Sequence, residues 1–575
     1  MTGARLPWAL AAAALALLLI ALLPAPAAAV VFEGSDFQGL QPPLSTSPPP
    51  VPGCTTYWYS QRLDHFSRHD KRRWQQRYTL CNAYWNPNAK KQAVYMYLGN
   101  ESPLPGAWPT IFSDMARDQG GLLLYAEHRY YGESMPLGSR SLTNEGLVYL
   151  TVEQVLADYA ELIEAVRKIH RVPRSAPTVC YGGSYGGNLA AYLRLTYPRQ
   201  FDAALASSAV VKFLMPSIPF LKTKYDAYKA RLAASTCKFH AAINILTHAL
   251  RDAAGDECAA RVDQAYLAMQ GPLAYSAQGR QQLATALHMC DPAALDSSEA
   301  VSAVGAAIRD TWQVPLWWGT FQTLYRTNPT FNAAAAMCKI VNAAPNTDLG
   351  VVEGMALAVI AAAYEDSKCI TSDAAIFPFG SKDNGPNATA DPTMRAWLYQ
   401  ASYWCILLTF FSHALGGIRH AQATGIELDT FPWASAKCCR QGFPVSTHLW
   451  SAYPSVYGYW AMPAPFFINW CKRVYGIKQP LQYPRQYEYT PHKLFARTSN
   501  LIFSNGEYDP WAAGSVFTAQ APRVPAIMTP KASHRQDLSA AQAGNTAAFN
   551  ATQRQIKAWI SEWVLRPKQH WKSDS

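Results

Sequence analysis

The sequence predicts an α/β protein: one largely parallel sheet with crossover helices, interrupted by a long helical insertion. Three observations carry this. Short apolar strands alternate with helices between Cys54 and Val211, the pattern of strand–crossover–strand units. Residues 212–450 lose that alternation and become rich in Ala, aromatic residues and Cys, with helical patches. Strand character then returns at 500–504 and 525–529, and a helix over 551–564 closes the chain.

Taken in order, the chain opens on an apolar run from Leu6 to Leu23. Arg5 is the only charge before Glu33, and Ala27-Ala28-Ala29 offers small residues for cleavage. This is the layout of a secretory signal peptide, assigned to residues 1–29. The run also approaches the roughly 18–20 residues that span a bilayer, so an uncleaved anchor is the alternative. Residues 30–53 are a leader that contains the Pro-rich stretch QPPLSTSPPPVPG, a composition that does not build a core. The first part of the core is expected over 54–211, the insertion over 212–450 and the second part over 451–575. Ala93 to Leu98 (AVYMYL) reads as a strand ending in Gly99-Asn100, and Leu122 to Ala126 as another ending in the polar cluster Glu127-His128-Arg129. Thr151 to Ile169 reads as a helix with Thr151 as N-cap. Its apolar residues Val155, Leu156, Tyr159, Leu162, Ile163 and Val166 fall at helical spacing. Pro177 to Tyr181 is a strand, Asn188 to Tyr197 a helix stopped by Pro198, and Ala203 to Ala206 the start of a further strand.

Composition excludes several functions. Of 575 residues, 49% are hydrophobic and 15% charged, the reverse of a disordered chain. The net charge of +11 is dispersed, with Lys71-Arg72-Arg73 the densest run. That argues against a nucleic-acid partner and gives little support to membrane-surface binding. The longest other apolar segment, Met355 to Ala363, is too short to span a membrane, so no stable insertion is expected after signal cleavage. The 12 cysteines include no CxxC pair, and Cys438-Cys439 is vicinal. No metal site or cofactor is expected from them, and on the secretory route they can pair. Most lie between Cys237 and Cys439 and so are expected to staple the insertion. Sequons at Asn100, Asn387 and Asn550 suit a secreted surface.

The sharpest motif is Gly182-Gly183-Ser184-Tyr185-Gly186, between the strand PTVCY and the helix NLAAYLRLTY. A strand-to-helix elbow this tight strains its nucleophile and excludes side chains from its neighbours. It lifts the Ser184 hydroxyl above the sheet and aims the Tyr185 N–H at a developing oxyanion. A base and an orienting acid should follow in the order Ser, Asp, His. Asp509 follows the strand at 500–504. His534 follows the strand at 525–529 and lies 25 residues later, enough for one strand–helix–strand step. Asp537 is the rival acid, but it sits too close to His534 to come from a separate strand end, so it ranks as a local helper or cap. The loop Gly99-Asn100-Glu101 follows an early strand, and the Glu101 N–H is the expected second oxyanion donor. Asn100 then faces the site and is a poor sugar acceptor.

These residues carry a resemblance. GGSYGG (Gly182 to Gly187), EHRYYGES (Glu127 to Ser134), SNGEYDPW (Ser504 to Trp511) and ASHRQDL (Ala532 to Leu538) resemble the serine peptidases that include lysosomal Pro-X carboxypeptidase, dipeptidyl peptidase II and thymus-specific serine peptidase. Gln61 to Phe66, Arg77-Tyr78, Leu156-Ala157-Asp158 and Ala206-Ser207-Ser208-Ala209 match as well. The resemblance implies an α/β-hydrolase core with a large, mostly helical cap domain inserted between the nucleophile half and the Asp/His half. It implies a Ser184, Asp509, His534 triad and an exopeptidase that prefers proline, sometimes alanine, on the acyl side. Its partners would be peptide substrates, with a homodimer left open and a lysosomal or extracellular compartment. Trp511 would wall an apolar proline slot. Two departures stand out. A cap stretch often W-x-Y-Q-x-C-x-E in the family has Ser402 and Trp404 here, and Arg535 replaces a residue more often uncharged. Carboxypeptidase and dipeptidyl peptidase specificity are therefore not separated. An esterase on the same fold and an inactive binding protein are the rival readings.

Overall fold

A computed structural model describes residues 50–211, 250–308, 333–363, 369–370, 396 and 495–565. Short gaps fall at 90–91, 105, 253–254, 299, 302–303, 306–307 and 541–544. The signal segment, residues 30–49 of the expected leader and the departures at Ser402 and Trp404 lie outside the described residues, while Val51, at the leader's end, is buried against the sheet. So do most of 371–494 and both expected domain boundaries past Val211.

Eight strands form one sheet: β1 (Cys54–Arg62), β2 (Arg73–Cys81), β3 (Val94–Leu98), β4 (Leu122–Ala126), β5 (Thr178–Gly183), β6 (Ala203–Ser207), β7 (Leu501–Gly506) and β8 (Ala526–Thr529). Their order is β1-β2-β4-β3-β5-β6-β7-β8. β2 pairs antiparallel with β1 and with β4, and every other pairing is parallel, so β2 alone runs against the rest. Every residue of β3 through β7 is buried. That fits their near-continuous apolar sequences, because a parallel sheet is covered on both faces.

Strand alternation divides the core into two layers. Val94, Met96 and Leu98 face one layer, with Leu156, Leu162 and Ile163 of α2 (Val152–Ile169) and Leu189 and Leu193 of α3 (Tyr185–Thr196). Tyr95 and Tyr97 face the other, with Phe112 of α1 (Ile111–Gln119) and, near the C-terminus, Ile556 and Ile560. The Thr151 side chain caps α2 by accepting from the Gln154 N–H at 3.3 Å, as its sequence predicts. α3 starts at Tyr185, three residues earlier than expected. Gly186-Gly187 is a poor helix former, but the elbow delivers the chain directly into helical geometry.

β1 and β2 carry polar residues on alternate positions at the sheet edge, and β2 reads RWQQRYTLC. Cys54 and Cys81 face each other in register and form a disulfide. This corrects in part the expectation that cysteines staple the insertion rather than the sheet. The other two disulfides among the described residues, Cys258–Cys338 and Cys290–Cys369, do lie in the insertion.

Between 250 and 370 the described elements are mainly helical, including α4 (Asp256–Gln270), α5 (Ala277–Ala286), α6 (Ala333–Ala343) and α7 (Asp348–Ala363). Helix α7 packs against α4, α5 and α6, and it buries Val351, Val352, Met355, Ala356, Ala358 and Val359. A helix apolar on nearly all sides needs such cover. Among the described residues, no helix is long and apolar enough to cross a membrane. A final helix, α8 (Ala547–Leu565), ends the described chain.

Candidate active site

Because β3, β5, β6, β7 and β8 are parallel, the loops that follow them emerge at one edge of the sheet. Such carboxyl-end edges are where open α/β sheets hold their ligands. Asn100, Glu101, Ser184, Asp509, Trp511 and His534 lie on these loops, and Tyr185 starts the helix after one.

Between β5 and α3, Ser184 adopts φ 58° and ψ −126°, a region that a residue with a Cβ occupies only under constraint. The constraint is visible. The Ser184 N–H donates to the Ser207 carbonyl at 2.9 Å, and the Ser184 carbonyl accepts from Asn188 N–H at 3.1 Å. The glycines before it serve close approach. A Cβ on Gly182 would lie 2.4 Å from the Gly186 carbonyl oxygen, and one on Gly183 would lie 2.3 Å from the Arg535 Cδ. Ser184 is partly exposed, while Gly183 and Tyr185 beside it are buried.

Asp509 follows β7 and caps the single-turn helix Pro510–Gly514. Its Oδ1 accepts from the Trp511 N–H at 3.0 Å and from His534 Nδ1 at 2.9 Å. Both side chains are buried, Asp509 at 0% and His534 at 2% exposure. A carboxylate accepting from Nδ1 selects the tautomer in which Nε2 carries the lone pair that can take up a proton. Asp509 Oδ2 is buried with no hydrogen-bond partner among the described residues.

Tyr185 is buried, and its hydroxyl lies 3.2 Å from His128 Nε2. Burial pushes His128 down to about 4, so its imidazole is neutral at pH 7. Its Nδ1 donates to the Arg129 carbonyl at 2.6 Å. Asn100 is 7% exposed, and its Oδ1 accepts from Ser102 Oγ at 2.8 Å. That burial agrees with its being a poor sugar acceptor. Burial raises the Glu101 carboxyl above the ordinary range, while Arg535 and His534 act in the opposite sense. Its Oε2 is buried and unpartnered among the described residues. Trp511 is 44% exposed.

The structure thus brings Ser184, Tyr185 and Asn100 to one elbow, pairs Asp509 with His534, and sets the Glu101 carboxyl within electrostatic reach of His534. Sequence reasoning missed the carboxyl of Glu101, of which only the backbone was expected to act. It also missed the contacts of the EHRYYGES segment. Glu127 is buried and accepts from Arg77 Nη2, Leu104 N at 3.0 Å and Ser134 Oγ at 2.8 Å. Arg129 is fully buried and holds Asp158. The available signal was a run of charges directly after an apolar strand, since charges there must find partners when buried. Among the described residues, no group of His, Cys, Asp or Glu could hold a metal ion.

The sequence profile of the family described as serine carboxypeptidase S28 matches residues 61–412 and 413–556. The lysosomal Pro-X carboxypeptidase of Mus musculus is 26% identical over 547 residues, covering 91% of this chain and 93% of that protein. The Bos taurus protein of the same name is 27% identical, covering 88% of each. The thymus-specific serine protease of Homo sapiens is 30% identical over 263 residues, covering 45% of this chain and 46% of that protein. Among solved structures, the acylaminoacyl peptidase of Pyrococcus horikoshii aligns at 12% identity and a TM-score of 0.22, covering 28% of this chain and 24% of that one. A profile match of this extent, together with near full-length similarity to Pro-X carboxypeptidases, establishes that the chain belongs to the serine carboxypeptidase S28 family of serine-type peptidases.

Proposed function

We propose that this peptidase is an exopeptidase that cleaves on the carboxyl side of proline, or alanine, near a peptide terminus through an acyl-enzyme. The observation that carries the reading is the strained Ser184 on the same sheet edge as the buried Asp509–His534 pair. His534 Nε2 takes the Ser184 proton as the hydroxyl attacks the scissile carbonyl, then delivers it to the leaving amine. Water repeats the cycle on the ester. Asp509 holds the imidazole tautomer and stabilises its charged form. The backbone N–H groups of Tyr185 and Glu101 are the oxyanion donors, and the start of α3 adds its dipole at that point.

The exposed part of Trp511 supports a proline slot. A proline ring is apolar and has no N–H, so an aromatic wall selects it without leaving a donor unpaired. The helical insertion acts as a cap that limits access to peptide ends. The three disulfides among the described residues suit an oxidising compartment on the secretory route, with a lysosome-like compartment or the exterior as destination.

The test is mass spectrometry of products from X-Pro-Y peptides blocked at one end or both. Cleavage of N-blocked peptides alone identifies a carboxypeptidase, and cleavage of C-blocked peptides alone a dipeptidyl peptidase. Efficient cleavage of doubly blocked peptides, or turnover of simple esters with no peptide cut, overturns the proposal.

A further inference from the structure

One dipeptide bonds to the Ser184 elbow, to the segment just past His534 and to the strand that leads to Asp509. Ser207 ends β6 and Ser208 follows it, and both are fully buried. The Ser207 carbonyl accepts the Ser184 N–H at 2.9 Å. The Ser207 Oγ donates to Asp537 Oδ1 at 2.5 Å, and Asp537 lies on the single-turn helix directly beyond His534-Arg535. The Ser208 N–H donates to the Ser504 carbonyl at 2.7 Å, on the strand that delivers Asp509. The Ser208 Oγ accepts the Arg535 N–H at 2.9 Å, one residue past His534.

The backbone of Ser208 is informative. It sits at φ 47°, in the left-handed region, which a residue bearing a Cβ adopts only at a steric cost. Glycine would relieve that strain but could not accept from Arg535. A hydroxyl held in a strained, fully buried position implies that its hydrogen bond has a use.

We infer that Ser207 and Ser208 are positioning residues that set His534 relative to Ser184, their two hydroxyls bonding the chain just after His534, at Arg535 and Asp537. Neither touches the substrate. They act by clamping the segment that carries the base to the strand end that holds the nucleophile. The inference rests on the triad reading above.

The experiment compares wild type with Ser207→Ala, Ser208→Gly and Ser184→Ala on a proline peptide, alongside melting temperatures. The clamp predicts that Ser207→Ala and Ser208→Gly lose about 10- to 100-fold in kcat, because a misplacement of about 1 Å costs up to about that much. KM should stay within about twofold, since the substrate contacts are unchanged. Ser208→Gly should keep its melting temperature, because relief of strain offsets the lost bond. The rate of Ser184 labelling by a fluorophosphonate should fall in parallel with kcat. Wild-type kcat in Ser208→Gly overturns the inference, as does a loss that only tracks the folded fraction. Should Ser207→Ala not fold, Ser208→Gly decides alone. Wild-type activity in Ser184→Ala overturns the triad reading itself, which separates the two failures.

Discussion

Asp158→Asn should destabilise the whole domain, and the structure sets the size of the effect. Arg129 and Asp158 are 0% and 1% exposed. Asp158 accepts from Arg129 Nε at 2.5 Å and from Nη2 at 2.7 Å, and His65 Nε2 lies 2.7 Å from its Oδ1. The rest of the guanidinium bonds to the carbonyls of Leu63 at 3.1 Å and Tyr149 at 2.9 Å. One pair therefore ties β1, the loop after β4 and helix α2 together. Asparagine preserves the shape but removes the charge and turns donors toward donors. A buried cation left without its partner costs about 3–5 kcal/mol, a large share of a typical net stability of about 5–15 kcal/mol. Urea unfolding followed by tryptophan fluorescence measures it. The double change Arg129→Met with Asp158→Leu should recover most of the loss, because the penalty comes from the orphaned charge rather than from the pair's net attraction. A loss below about 1 kcal/mol for Asp158→Asn, or no recovery in the double variant, would refute this argument.

Other changes probe the site and the insertion. Asp509→Asn should lower kcat by about 10⁴-fold with the fold intact, by placing the His534 proton on the wrong nitrogen; stopped assays with circular dichroism check both. Trp511→Ala should raise KM for proline peptides more than it lowers kcat, and an unchanged KM would remove Trp511 from the slot. Burial pushes Asp263, on α4, up to about 7, with Arg251 opposing. Its folded form therefore holds a proton more tightly than the unfolded chain does, and stability falls as pH rises from the unfolded carboxyl range, about 4, toward 7. Asp263→Asn should flatten that slope, matching wild type at pH 4 and exceeding it at pH 8 in thermal melts.

What the sequence discloses depends on how local the cause is. The elbow is legible because GGSYGG states its own steric needs within six residues. Asp509 and His534 are legible because each follows a strand with a clear apolar signature. The hairpin β1–β2 is not among the strands read out, because Arg, Gln and Trp alternate there at a half-exposed edge. Helix α1, IFSDMARDQ, is short and mixes charge with apolar residues. Ser207 and Asp537 lie 330 residues apart, and Arg129 and Asp158 lie 29 apart. Periodicity reports which face of an element is buried, not which distant side chain meets it there. Asp537 could thus be ranked as a helper from its distance to His534, while its partner at the end of β6 emerges only from the folded chain.

The central claim is that Ser184 is the nucleophile, activated by the Asp509–His534 pair. The most direct measurement is peptide mapping of the protein after a fluorophosphonate has abolished its peptidase activity, with His534→Ala treated in parallel. The account predicts a single adduct on Ser184 in wild type, stoichiometric with the activity lost, and little adduct in the variant. An adduct on another residue, or equal labelling of Ser184 in His534→Ala, would contradict it.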